Sequence, residues 1–69
     1  MERQPVNSSN LASVGYDEDT STLEVEFKGG AIYRYYNVPL FEYERLMAAG
    51  SLGIYFNANI KDGYPYERA

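Results

Sequence analysis

The sequence contains no cysteine, no histidine and no tryptophan. Without cysteine no disulfide can brace the fold, and the composition gives no support for secretion into an oxidising compartment. Metal sites built on thiolate or imidazole ligands are excluded, and so is a catalytic triad that uses histidine as its base. These absences leave binding or structural roles as the better-supported classes of function.

Long apolar runs and clustered cations are also missing. No segment approaches the roughly 20 apolar residues of a membrane span, and residues 1–5 lack the charged-then-apolar layout of a signal peptide. We therefore expect a cytoplasmic protein with no membrane partner. Lysine and arginine number six against ten acidic residues, which gives a net charge of −4. Because affinity for phosphates requires clustered cations, this charge disfavours nucleic acid as a partner.

The chain has 69 residues, enough for a single domain, and we assign residues 1–69 to it. A domain of this size buries only about 60% of the surface that its unfolded chain exposes. Eight tyrosines and three phenylalanines supply large side chains that increase burial from few residues. Residues 1–9 are polar and contain Pro5, so we predict an irregular lead-in before the first strand.

Three strands are predicted, at residues 11–16, 22–27 and 31–36. Turn residues separate the first two, and a glycine pair separates the second from the third. The second strand alternates strictly, with Leu23, Val25 and Phe27 pointing one way. Glu24 and Glu26 point the other way. This alternation predicts that the apolar face is buried and that both glutamates stay in water.

Two helices follow the third strand. Pro39 fits the first helical position, where its missing N–H costs nothing, and apolar residues then recur at helical spacing as far as Met47. Ser51 is predicted to cap a second, shorter helix. A strand at residues 64–68 would be confined to an edge by Pro65. The predicted class is α+β, with a small antiparallel sheet of three strands plus an optional C-terminal edge strand, packed on one face by two short helices.

The third strand carries most of the candidate binding residues. Tyr33 and Tyr35 share one of its faces. They form either a stacking platform for bases, as in sheet-based RNA-binding proteins, or packing beneath the first helix. The packing alternative is favoured, because tyrosines whose ring is buried and whose hydroxyl reaches water commonly complete small cores.

Ile32, Arg34 and Tyr36 share the opposite face of this strand. Arg34 either lies over a tyrosine ring or pairs with Glu24 or Glu26 on the neighbouring strand. Tyrosine and arginine are enriched at binding hot spots. We therefore predict this face as a surface for a partner or for a second copy of the chain.

Tyr55 and Asn57, in the predicted second helix, complete the candidate binding set. Asn57 either ties a loop backbone to the helix or contacts a ligand. No serine, lysine or carboxylate spacing suggests a catalytic constellation, so we predict no catalytic residue and no cofactor. The acidic residues 17–19 lack the spaced ligands of a calcium loop, and no metal site is predicted.

An ordered set of motifs runs through nearly the whole chain, from Ser8 to about Arg68. The set is Ser8-Ser9, Gly15-Tyr16-Asp17, Leu23-Glu24-Val25-Glu26-Phe27, Gly30, Tyr33-Arg34-Tyr35, Val38-Pro39, Tyr43, Ala49-Gly50-Ser51, Gly53, Tyr55-Phe56-Asn57, Ile60 and Tyr64. It resembles the KTSC domain, a small module at the C-terminus of some lysyl-tRNA synthetases that also occurs as a stand-alone bacterial or phage protein. The resemblance implies no catalytic role, and the synthetase context suggests RNA binding.

We therefore expect a small non-enzymatic binding module that acts through a protein partner or by self-association. The alternative is a module that binds RNA or another nucleic acid. The resemblance and the pair Tyr33 and Tyr35 suggest this alternative, whereas the net charge of −4 disfavours it.

Overall fold

The computed structural model describes all 69 residues and contains one antiparallel sheet and two helices. The elements in chain order are β1 (Arg3–Pro5), β2 (Leu11–Asp17), β3 (Thr22–Phe27), β4 (Ile32–Tyr35), α1 (Leu40–Ala48), α2 (Leu52–Asn59) and β5 (Tyr66–Arg68). The five strands lie side by side in that same order, each antiparallel to its neighbours. Neither helix has the length and apolar character that crossing a bilayer requires.

The α+β class is confirmed, but the sheet has five strands instead of three plus an edge strand. The additional strand is β1, which lies in the segment predicted to be irregular. A short polar segment ending in Pro5 carries no periodic signal, and it is ordered as a strand by pairing with β2, where Arg3 lies opposite Gly15. The predicted edge strand is confirmed as β5, which begins directly after Pro65.

The core lies between one face of the sheet and the two helices. Its nine buried apolar residues are Leu11, Val14, Leu23, Val25, Tyr35, Val38, Leu46, Phe56 and Ile60. As the alternation predicted, Leu23 and Val25 are completely buried. Phe27, at the end of β3, is only half-buried and meets Phe56 edge-on, with 5.7 Å between the ring centroids.

Both predicted helices are confirmed, and α1 begins one residue later than predicted because Pro39 keeps an extended backbone (φ −70°, ψ 156°). The residue before it, Val38, is tied to the sheet by a hydrogen bond of 2.5 Å from the hydroxyl of Tyr16 to the Val38 carbonyl. Ser51 caps α2 as predicted, since its hydroxyl accepts a hydrogen bond of 3.3 Å from the N–H of Ile54.

Candidate functional site

A charged row crosses the face of the sheet opposite the core. The register aligns Arg3, Gly15, Glu24, Arg34 and Glu67 on five successive strands. Glu24 forms ion pairs with both Arg3 and Arg34, and Arg34 Nε lies 2.8 Å from a carboxylate oxygen of Glu24. The pairing of Arg34 with a glutamate of the neighbouring strand, one of the two predicted alternatives, is confirmed.

The prediction that Glu24 stays in water is wrong. Glu24 is only 4% exposed, because the side chains of Arg3 and Arg34 lie against its carboxylate. Burial raises the pKa of the Glu24 carboxyl, but the hydrogen bonds and charges of the two arginines outweigh burial and hold its pKa below 4.5. Glu26 is half-buried and accepts a hydrogen bond of 2.8 Å from the hydroxyl of Ser13. Alternation alone does not reveal that arginines on two other strands converge on one glutamate.

The face predicted for a partner, formed by Ile32, Arg34 and Tyr36, is the face of the charged row. Arg34 is held by Glu24 there. The hydroxyl of Tyr36 donates a hydrogen bond to Glu67, and this bond raises the pKa of Tyr36. The polar groups of Arg34 and Tyr36 are thus paired within the chain, and use of this face by a partner stays a prediction.

Tyr55 belongs to a separate cluster around Glu42, a buried residue in the first turn of α1. The hydroxyls of Tyr55 and Tyr64 each donate a hydrogen bond to the Glu42 carboxylate, the second at 2.8 Å. Burial, followed by the bond to Glu42, raises the pKa of Tyr64 to about 12. The bond to Glu42 also raises the pKa of Tyr55. The cluster therefore ties α2 and the segment before β5 to α1.

An aromatic cleft opens on the core face of the sheet, beside the edge strand β5. Its volume is about 530 Å³, and the rings of Phe27, Tyr33, Tyr35 and Tyr66 line its sheet side. Tyr35 is buried against Phe56 of α2, with 5.3 Å between the ring centroids, and burial raises the pKa of Tyr35 to about 12. Tyr66 is 57% exposed, so the cleft presents a large ring to solvent.

The polar lining of the aromatic cleft comes from Asn10, Asn57, Lys61 and Asp62. Arg68 lies on the same face of the sheet, since it is the partner of Tyr33 in the register of β4 and β5. Both ion pairs of the structure involve Glu24, so Lys61 and Arg68 are cations without an ion-pair partner. Lys61 thus supplies an unpaired cation to the cleft of an acidic protein, and Arg68 places a second one on the same face of the sheet.

The structure brings together three of the seven predicted binding residues, Tyr33, Tyr35 and Asn57, in this cleft. Lys61 and Tyr66 were missed, although the predicted edge strand contained a usable signal. Pairing β5 with β4 places Tyr66 opposite Tyr35 and therefore on the same face. Lys61 gave no comparable signal, because it lies in the turn after α2 and reaches the cleft only through the packing of that helix.

A sequence model of the KTSC domain matches residues 7–64. A protein of Stutzerimonas stutzeri is 48% identical over 61 residues, which cover 88% of this chain and 86% of that protein. A lysine–tRNA ligase of Nostoc sp. is 45% identical over 60 residues, which cover 87% of this chain but only 11% of the ligase. The crystal structure of a KTSC domain protein from Yersinia pestis matches with a TM-score of 0.93 at 38% identity, covering 99% of this chain and 96% of that one. The similarity extends both to proteins of comparable length and to a small part of a much longer enzyme.

Proposed function

The chain belongs to the KTSC domain family. We propose that it is a small non-enzymatic module whose aromatic cleft binds a protein partner. This partner is either another protein or a second copy of the chain. The observation that carries the proposal is the exposure of Tyr66 over a cleft lined by further aromatic rings. Tyrosine is one of the residues that dominate binding hot spots.

The geometry favours the aromatic cleft over the charged row. The cleft of about 530 Å³ presents the exposed ring of Tyr66 among further aromatic rings and a few polar groups, and aromatic side chains are enriched where proteins bind one another. On the face of the charged row, a partner would first have to compete with the bonds that Arg34 and Tyr36 already make to Glu24 and Glu67. Displacing those bonds costs free energy that the open cleft does not require.

The proposal is tested by affinity capture from the native cell with wild-type protein, Tyr66→Ala and the matched control Tyr36→Ala. Tyr66 lies in the cleft, whereas Tyr36 lies on the opposite face of the sheet, where its hydroxyl is bonded to Glu67 of the charged row. We expect a protein partner to be lost with Tyr66→Ala and retained with Tyr36→Ala. Sedimentation of the same three proteins separates a second copy from a different partner, because only self-association changes with the protein's own concentration.

The reverse pattern, with loss only in Tyr36→Ala, would assign binding to the face of Ile32, Arg34 and Tyr36. Capture that is unchanged in both variants, with all three proteins sedimenting as monomers, would overturn the proposal. Capture repeated with and without RNase treatment distinguishes direct protein contacts from contacts that are bridged by RNA.

A second candidate function is the binding of single-stranded RNA. It is supported by Lys61, which lines the cleft together with Tyr33 and Tyr66, and by Arg68, which lies opposite Tyr33 on the same face of the sheet. Aromatic stacking combined with a positively charged groove is how single strands are bound without base pairing. The match to part of a lysine–tRNA ligase supports it as well. The net charge of −4 opposes it.

Titration with labelled tRNA and with a single-stranded oligomer, at low and at physiological salt, decides between the two functions. We expect weak binding that disappears at physiological salt. Submicromolar affinity with a steep salt dependence, lost in Lys61→Gln and Arg68→Gln, would favour RNA instead.

A further inference from the structure

The backbone hydrogen bonds between β4 and β5 show in which direction the N–H and C=O groups of each β5 residue point. The N–H of Tyr36 donates a hydrogen bond of 2.8 Å to the carbonyl of Pro65, and the N–H of Ala69 donates one of 2.7 Å to the carbonyl of Ile32. Hydrogen-bonded and non-hydrogen-bonded pairs alternate in an antiparallel ladder. Midway between Pro65 and Ala69, Glu67 therefore also directs its backbone groups toward β4.

The same alternation turns the backbone N–H and C=O of Tyr66 and Arg68 away from β4. β5 pairs with no other strand, and none of the backbone hydrogen bonds in turns and loops involves Tyr66 or Arg68. All three residues of β5 are exposed. The outer edge of β5 thus offers two donors and two acceptors in the arrangement that a further strand requires.

The opposite edge of the sheet is less suited to receive a strand. β1 ends in Pro5, which has no N–H to donate, and proline is one of the devices by which proteins block pairing at an edge. The outer edge of β5 carries no proline, and it lies beside the aromatic cleft.

The side chains of β5 define the chemistry of a strand placed beside it. Tyr66 and Arg68 point to the cleft face, and Glu67 points to the face of the charged row. Opposite charges directly across two strands attract, and aromatic side chains pair favourably with other rings. A complementary strand has an acidic residue beside Arg68, a basic residue beside Glu67 and an aromatic residue beside Tyr66.

We propose that the partner of the aromatic cleft is an extended peptide segment that adds to the outer edge of β5 as a sixth, antiparallel strand. From its N-terminus to its C-terminus, this segment has an acidic, a basic and an aromatic residue at three consecutive positions. The aromatic side chain lies over the cleft beside Tyr66. The inference rests on the proposed function and adds how the partner is recognised. Main-chain bonds to Tyr66 and Arg68 provide affinity, and the three side chains provide selectivity.

The probe is a labelled eight-residue peptide with glutamate, lysine and phenylalanine at three consecutive central positions and threonine elsewhere. The control peptide has the glutamate and the lysine exchanged. We expect the control to bind several-fold more weakly, because both cross-strand charge pairs become repulsive. Amide hydrogen exchange followed by NMR provides the second readout. The amides of Tyr66 and Arg68 should become protected in the complex, whereas the amide of Glu67, already bonded to β4, should change little.

A pair of variants at Arg68 separates the backbone from the side chain. Arg68→Pro removes an outward N–H without removing a bond to β4, and Arg68→Gln removes only the charge. We expect Arg68→Pro to bind the probe about threefold to tenfold more weakly than Arg68→Gln, which is the usual effect of one hydrogen bond.

Three outcomes would overturn the inference. Probe binding that perturbs the ring of Tyr66 without protecting the amides of Tyr66 and Arg68 leaves the cleft as a binding site but excludes strand addition. Protection of the same amides in a dimer, without any peptide, makes a second copy the occupant. No binding by either peptide up to its solubility limit overturns this inference alone, and tight binding of RNA in the cleft in addition overturns the proposed function as well.

Discussion

Gly15 lies opposite Arg3 in the pairing of β1 with β2, and its missing Cβ leaves room for the Arg3 side chain to reach Glu24. A Cβ built on Gly15 would stand 3.0 Å from Arg3 Cγ and 2.7 Å from the carbonyl oxygen of Glu2. Only Gly30 among the glycines has a positive φ, so close approach, not backbone conformation, requires glycine at position 15. The charged row therefore depends on a residue that carries no charge.

Gly15→Ala should destabilise the protein by about 1–3 kcal/mol, since overpacking forces the backbone of β1 away from β2. The matched control is Gly29→Ala, because nothing lies within 4 Å of a Cβ built there. We expect the control to stay within about 1 kcal/mol of wild type. Urea denaturation measures both, and equal stability of the two variants would contradict the role given to Gly15.

Acid should destabilise the wild type through Glu24. Its folded-state pKa lies below 4.5, so the ion pairs contribute stability at higher pH, and that contribution is lost as the pH falls through the lower, folded-state pKa. Glu24→Gln should be less stable at neutral pH and should lose less stability on acidification. Glu44→Gln, at an exposed position of α1, should follow the wild-type curve. Parallel acid curves for wild type and Glu24→Gln would exclude this contribution.

Tyr64→Phe should cost about 1–3 kcal/mol, because it leaves an oxygen of the buried Glu42 without its donor. Tyr36→Phe removes a tyrosine–carboxylate bond of the same type in an exposed position, and it should cost less than about 1 kcal/mol. Thermal unfolding of the two variants checks the order. A larger loss in Tyr36→Phe would show that the cluster around Glu42 does not stabilise the packing of α1.

Phe56→Ala should destabilise the protein by about 3–5 kcal/mol, which could unfold so small a domain. Phe56 is 1% exposed and meets the rings of both Phe27 and Tyr35. Phe27→Ala should cost less, because Phe27 is only half-buried. Melting temperatures compare the two, and a larger loss in Phe27→Ala would contradict the difference in burial that the structure gives these two rings.

Local sequence patterns predicted the strand faces and helix ends that depend only on residues close together in the chain. The alternation of Leu23 and Val25 identified a buried strand face, and Ser51 identified the start of α2. β1 was missed because its three residues have no period and become a strand only by pairing with β2. The burial of Glu24 was missed for the same reason, since one of its two arginines lies on that strand.

The candidate site could be predicted only in part. Tyr33 and Tyr35 were recognisable from their strand, but the cleft also needs Lys61 from the turn after α2 and Tyr66 from β5. Residues from such distant segments meet only through tertiary packing, which periodicity and spacing do not encode. The net charge also carries no information on where the cations lie, since Arg3 and Arg34 pair with Glu24 whereas Lys61 and Arg68 have no ion-pair partner.

β5 is the only strand separated from its sheet neighbour by the helices, since α1 and α2 both lie between β4 and β5 in sequence. Closing so long a loop costs more chain entropy than forming the turns that join β2, β3 and β4. We therefore expect β5 to join the sheet late in folding and to detach most readily from the native state. A partner bound to β5 would also hold this strand against β4, so its binding would stabilise the edge of the sheet that opens most readily.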